Sequence, residues 1–168
     1  IPSKTLAIYV DGEYRDMALI DMALSRERFV ATRAIWDMST IYEVFLTRAE
    51  PASIGLSSIG ARLHPVSIND EGGLHYCIDE QLGIPEGSSE SMQGPSTVLA
   101  PVAPGMISQV AISSWRRLDI GQRISVERRY STVALDGERA FSVTPDQQLE
   151  IAVQRDGPRV VQVEAALH

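Results

Sequence analysis

Residues Tyr130 to Val143, reading Tyr-Ser-Thr-Val-Ala-Leu-Asp-Gly-Glu-Arg-Ala-Phe-Ser-Val, restrict the fold more than any other stretch of the chain. Val133 and Leu135 alternate with Thr132 and Ala134 as on a half-buried strand. Asp136-Gly137 supplies tight-turn chemistry, and Phe141 and Val143 resume the alternation. This pattern predicts a β-hairpin. Nearly the same phrase stands near the start, where Leu6, Ile8 and Val10 lead into Asp11-Gly12-Glu13 and then Tyr14-Arg15. Leu6 to Val10 and Ala18 to Leu24 read as the arms of a first hairpin region. Asp21 interrupts the apolar run Met17 to Leu24. A carboxylate there faces solvent, accepts backbone N–H groups, or meets a partner or ligand.

Further along, Phe29 to Trp36 alternates weakly and predicts a strand. Asp37 or Ser39 can cap a helix in which Ile41, Val44 and Phe45 recur at helical spacing, ending before Pro51. Ser53 to Val66 holds Gly55-Leu56-Ser57-Ser58-Ile59-Gly60. This run lacks both the Gly-Lys-Ser/Thr ending of a phosphate loop and the glycine of a serine-hydrolase elbow, since residue 59 is Ile. It reads as a strand-like segment whose glycines mark a bulge or a close approach by another strand or a ligand. Asn69 to Gly73 is turn chemistry ahead of a short strand, Leu74 to Ile78, on which His75 and Cys77 share one face. Two such residues are too few for a metal site, so none is expected. Asp79 to Thr97, rich in Gly, Pro and Ser, predicts a long loop or flap.

From Thr97 on, short strands recur. Val98 to Gly105 is broken by Pro101 and Pro104, as suits an edge or a strand leaving its sheet. Val110 to Ser113, Arg123 to Glu127, Ser131 to Leu135, Ala140 to Val143, Leu149 to Val153 and Arg159 to Val163 follow, each separated by its own turn signal. The fold class expected is mainly β: an antiparallel β-sandwich of short strands with one short helix.

The chain has 168 residues, 44% of them hydrophobic, enough for one domain with a sizeable core. It shows neither a membrane-spanning run nor a signal peptide. A net charge of −7 argues against nucleic acid as a partner. Between Val110 and Arg139, however, six arginines face four acidic residues. That stretch is either a mixed solvated face or an anion- or partner-contacting patch. The lone Cys77 points to a reducing compartment, with cytoplasm the default. The chain opens on Ile1-Pro2 rather than Met. Residues 1–168 are accordingly expected to be a single domain excised from a longer chain.

Thr97 to Gly105, Leu118-Asp119-Ile120-Gly121, Ala134 to Arg139 and Gly157-Pro158-Arg159-Val160-Val161 resemble, in that order, the C-terminal half of the ATP-NAD kinase-like family of the acetoin-catabolism protein X type. Arg33 to Asp37, Leu46 to Pro51 and Ile54 to Ser57 extend the resemblance over almost the whole chain. That family is similar to the NAD kinase and diacylglycerol kinase group. The group carries an N-terminal α/β domain with a Gly-Gly-Asp-Gly-Thr phosphate loop and a C-terminal β-sandwich that forms much of the dinucleotide site.

The only Gly-Gly here, Gly72-Gly73, is followed by Leu74. The resemblance therefore implies that the catalytic loop lies in a missing N-terminal α/β domain of the same chain. It implies ATP and Mg²⁺ for the full-length protein only and NAD as the acceptor, and this piece alone should be inactive. Ala18 to Asp21 stands where NAD kinases have Ala-Leu-Asn and an acidic residue, with Ile20 in place of the Asn. Gly55-Leu56-Ser57-Ser58 resembles their Thr-Gly-Ser-Thr. Asp21, Gly55, Ser57 and Ser58 are thus the implied nucleotide-binding residues. The alternative readings are a non-catalytic sandwich module for oligomerisation or regulation, and an independent small-ligand domain. Exposed sheet edges make a homo-oligomer plausible.

Overall fold

The computed structural model describes residues 2–26, 38–78 and 94–159. The strand expected over Phe29 to Trp36, most of the loop expected over Asp79 to Thr97 and all but the first residue of the strand expected over Arg159 to Val163 lie outside them.

Strands β1 (Thr5–Val10) and β2 (Glu13–Ala18) form the first hairpin, and β3 (Asp21–Ser25) follows directly. Next come β4 (Ile41–Leu46), helix α1 (Leu56–Leu63) and β5 (Gly73–Cys77). The remaining strands are β6 (Ser96–Ala103), β7 (Met106–Ile112), β8 (Ser114–Leu118), β9 (Ile124–Ser125), β10 (Ser131–Leu135), β11 (Arg139–Val143) and β12 (Leu149–Gln154). One sheet runs β2-β1-β12-β9, a second runs β11-β10-β3-β4-β5-β8, and β6-β7 is a separate ribbon. The named strand pairs are antiparallel throughout. Among the described residues the chain adopts the expected mainly-β, antiparallel sandwich class with one short α-helix.

Two cores give the molecule three layers. Leu6, Ile8, Ile151 and Val153 of the first sheet meet Met22, Leu24, Phe45, Val133 and Leu135 of the second. On the far face of the second sheet, Ala23, Val44, Leu46, Leu74 and Tyr76 pack with Ile59 of α1 and with Val98, Ala100, Val110 and Ile112 of the ribbon. The second sheet is thus covered on both sides. Its central strands read as continuous apolar runs instead of alternating ones.

That double burial explains where the helix expectation fails. Ile41 to Leu46 is buried at every position and forms β4. Apolar residues at 41, 44 and 45 fit a helix face, but they fit a two-sided strand equally well. Periodicity cannot separate the two over so few residues. The helix lies instead at Leu56–Leu63, in the segment read as strand-like. There Leu56, Ile59 and Leu63 recur at helical spacing, and each belongs to or packs against the second core. Gly60 is the point of close approach: a Cβ would sit 2.5 Å from Leu46 Cδ1 and 3.0 Å from Leu74 Cδ2.

The run Ala18 to Leu24 is also not one arm. β1 pairs with Glu13–Ala18 across Asp11-Gly12, and the chain then switches sheets at Leu19-Ile20. The hairpin at Asp136-Gly137 forms as expected, with Val133 opposite Phe141. In both turns the Asp and Gly take positive φ: 51° and 81° at the first, 53° and 68° at the second. Asp and Gly are residues that tolerate that region.

A β-bulge at Leu24/Ser25 completes the scaffold. Leu24 pairs with Glu43 but Ser25 with Ile41. The extra residue, Tyr42, thereby joins Phe45 in the inter-sheet core.

Candidate functional site

The second sheet carries a polar group on each of its faces. On the α1 side, Asp21 opens β3, and its own N–H donates to Asp136 Oδ1 at 3.1 Å. The Asp136 carboxylate also accepts Leu19 N–H and Ile20 N–H, each at 2.7 Å. Thr47 Oγ1 donates to the Leu19 carbonyl at 2.8 Å. The switch between sheets is therefore a fixed ledge that presents Asp21. Burial, reinforced by the Asp136 charge, raises the Asp21 carboxyl to about 6.

The next feature on this face is the N-terminus of α1. Gly55, at φ 89°, is the N-cap, and no side chain caps the helix. The first helical bond is Ile59 N–H to the Gly55 carbonyl at 3.2 Å. The amides of Leu56, Ser57 and Ser58 therefore stand ahead of the ladder, where a helix presents donors and the positive end of its dipole. The Gly55 N–H itself donates to the Pro101 carbonyl at 2.8 Å, tying this end to β6.

Ser57 and Ser58 are used differently. Ser57 Oγ accepts Glu50 N–H at 3.2 Å and donates to the Arg48 carbonyl at 3.1 Å, so it shapes the chain after β4. Ser58 is 1% exposed and its Oγ has no hydrogen-bond partner. Tyr76 links Asp21 to the helix. Its hydroxyl donates to the Leu56 carbonyl at 2.8 Å, and burial plus the nearby Asp21 charge hold its acidity well below that of an ordinary phenol. Asp21 and the start of α1 therefore flank one buried phenol.

The inter-sheet face carries the second group. Glu43 lies opposite Cys77, and Phe45 opposite His75, across β4-β5. Arg116 lies opposite His75, and Ser114 opposite Cys77, across β5-β8. Arg116 Nε–H donates to His75 Nδ1 at 3.1 Å. Arginine can only donate, so Nδ1 carries no proton. The ring proton therefore sits on Nε2, which donates to Glu43 Oε1 at 2.7 Å. Phe45 stacks on the imidazole at 4.2 Å between centroids and 7° between planes. Burial and the Glu43 charge push the Cys77 thiol up to about 12, so it is a thiol and not a thiolate. Glu43, His75 and Cys77 each offer a ligand atom, and these atoms lie within 4.8 Å of one another.

The shared face of His75 and Cys77 was legible in their spacing, whereas Glu43 was missed inside an expected helix. The available signal was the same as for Asp21, a single carboxylate inside an apolar run, Ile-Tyr-Glu-Val-Phe-Leu. Much of the arginine-rich stretch forms surface pairs: Arg139 with Asp16 at 3.1 Å, Arg129 with Glu127 at 3.6 Å and Arg123 with Glu150 at 3.9 Å. Arg116 instead points into the sandwich.

A layered β domain with two buried polar groups and, among the described residues, one α-helix packed against its larger sheet defines the class. Residues 4–156 match the acetoin catabolism protein X C-terminal domain, and the chain belongs to that family. It is 36% identical over 156 residues to acetoin catabolism protein X of Cupriavidus necator, covering 93% of this chain and 41% of that protein. The chain thus spans about two-fifths of the length of the curated relative it matches. No solved structure matches it. Among the described residues no helix is long and apolar enough to cross a membrane.

Proposed function

We propose that this domain is the acceptor-holding half of a kinase-like protein. In this reading it grips a nucleotide such as NAD, while a preceding α/β domain holds ATP and Mg²⁺. The observation that carries the reading is the Ser58 hydroxyl, buried and without a partner at the start of an uncapped helix. A buried hydroxyl left unpaired costs stability, and a ligand oxygen or nitrogen that reaches it removes the cost. Helix-start amides add donors suited to an anionic or carbonyl group.

Asp21 would accept a hydrogen bond from an acceptor hydroxyl, and Gly55 would let the ligand approach the backbone. Ser57 would act indirectly, by holding the Arg48–Glu50 backbone. Phosphoryl transfer demands positioning and charge neutralisation, so a domain without the phosphate loop contributes by orienting the acceptor. The test is twofold. Thermal shift of this domain with NAD, NADP and ATP should give stabilisation with a dinucleotide. The longer protein with ATP, Mg²⁺ and NAD should phosphorylate NAD, and this domain alone should not. No shift with any of the three would overturn the reading.

A specific observation favours a second reading, a non-catalytic module for oligomerisation. The outer face of the β6-β7 ribbon exposes Leu99 at 63% and Ile107 at 73%, with Met106 beside them. Exposed apolar side chains grouped on one ribbon suit an interface. Sedimentation of the wild type against Ile107→Glu separates the readings, since only an interface there makes the mass fall.

A further inference from the structure

We infer that Glu43, His75 and Cys77 form a binding site for a borderline divalent metal ion of the Zn²⁺ class, with Ser114 beside its open fourth position. The inference is independent of the nucleotide reading, because the residues lie on the opposite face of the second sheet from Asp21.

The donors come from two adjacent strands in facing register, so the sheet sets their separations. His75 Nε2 and Cys77 Sγ are 3.8 Å apart, close to the roughly 3.6 Å that a tetrahedral N–Zn–S pair requires. His75 Nε2 and Glu43 Oε1 are 2.7 Å apart and must open to roughly 3.4 Å, a small rotation of a glutamate side chain. The stack with Phe45 fixes the imidazole plane meanwhile. A carboxylate, an imidazole and a thiol suit Zn²⁺ better than Mg²⁺ or Ca²⁺, which prefer oxygen alone.

Ser114 is fully buried opposite Cys77, with its hydroxyl beside the thiol. A water completing a four-coordinate ion would have this hydroxyl as a hydrogen-bonding neighbour.

The proton balance makes the site distinctive. In the metal-free form the imidazole proton is on Nε2 and the Arg116 N–H occupies Nδ1. When the ion takes the Nε2 lone pair, that proton moves to Nδ1 and Arg116, which is only half-buried, turns aside. The Cys77 thiol loses its proton as the S–metal bond forms. One proton is released per ion, and no electron changes hands. Arg116 therefore opposes metal binding, both by its charge and by holding the wrong tautomer.

Co²⁺ titration of the protein tests this, because Cys77 is the sole cysteine and any thiolate-to-cobalt charge-transfer band reports on it alone. The expected result is such a band with tetrahedral visible bands, saturating at one ion and one proton per chain and reversed by Zn²⁺. Cys77→Ala should abolish the charge-transfer band. Arg116→Met should tighten binding by about tenfold. Ser114→Ala should weaken it by roughly tenfold without removing the band. Absence of the band in the wild-type protein would overturn the proposal, and this outcome does not depend on how any variant folds. A band that survives Cys77→Ala, or weaker binding in Arg116→Met, would do the same.

Discussion

Asp136 reaches from the β10-β11 turn to Ile20, accepting its N–H at 2.7 Å, and so locks the point where the chain crosses from one sheet to the other. The other Asp-Gly turn is built alike: Asp11 Oδ1 accepts Gln148 N–H at 2.8 Å, joining the β1-β2 turn to the start of β12. Each aspartate takes a positive φ and turns its carboxylate onto the backbone of another strand. The repeated Asp-Gly-Glu phrase therefore encodes two staples as well as two turns.

Asp136→Ala removes the acceptor of three N–H groups at residues 19–21. The expected loss is roughly 2–3 kcal/mol in denaturant unfolding, from donors left partly buried without a partner. Asp136→Asn, which keeps an acceptor oxygen, should lose less.

The raised Asp21 carboxyl gives a signed pH dependence. Its folded pKa of about 6 lies above the ordinary 3.8, so the native state holds the proton more tightly than the unfolded state. Between those values stability falls as pH rises, and above about 6 the full cost of ionising Asp21 is present. Asp21→Asn should therefore stabilise the domain at pH 8 by roughly 1–2 kcal/mol, after allowing for partial exposure, and hardly at pH 4. Thermal unfolding at the two pH values reads the difference.

Lys4 is buried at 2% exposure and donates to the carbonyls of Ser67 at 2.9 Å and Gly72 at 2.8 Å. Burial, with the charge of Arg155, lowers it to about 8. Lys4→Met keeps the stem but orphans two carbonyls. A loss of roughly 1–3 kcal/mol at neutral pH is expected in urea unfolding. For the wild type, a depressed lysine pKa means that stability rises with pH between about 8 and 10.5 as the charge is shed.

The two adjacent serines should separate structure from binding. Ser57→Ala breaks two hydrogen bonds that hold the Arg48–Glu50 backbone and should cost about 1 kcal/mol. Ser58→Ala removes a hydroxyl that has no partner, so stability should hold or rise slightly. Denaturant midpoints measured side by side decide it.

How much of this the residues disclose depends on what surrounds each strand. The β10-β11 hairpin was legible because alternation and Asp-Gly turn chemistry are local signals. β4 was not, because burial on both faces erases alternation and leaves helix and strand templates equally matched. α1 was hidden by the glycines that let it pack: Gly60 reads as a strand bulge until the sheet it touches is known. Asp21 and the Gly55–Ser58 segment entered the candidate site by resemblance and, for Asp21, as an acid in an apolar run. The Glu43–His75–Arg116 connection spans three strands and no local spacing encodes it. A bulge that only β3-β4 pairing reveals also turns Tyr42 inward.

Backbone amide chemical shifts of this domain during NAD titration test the acceptor-holding proposal most directly. Shifts should concentrate at Gly55 to Ser58 and at Asp21, with Ser58→Ala weakening the apparent affinity while the fold is kept. Saturating NAD that leaves those amides unmoved, or moves a separate surface instead, would contradict it.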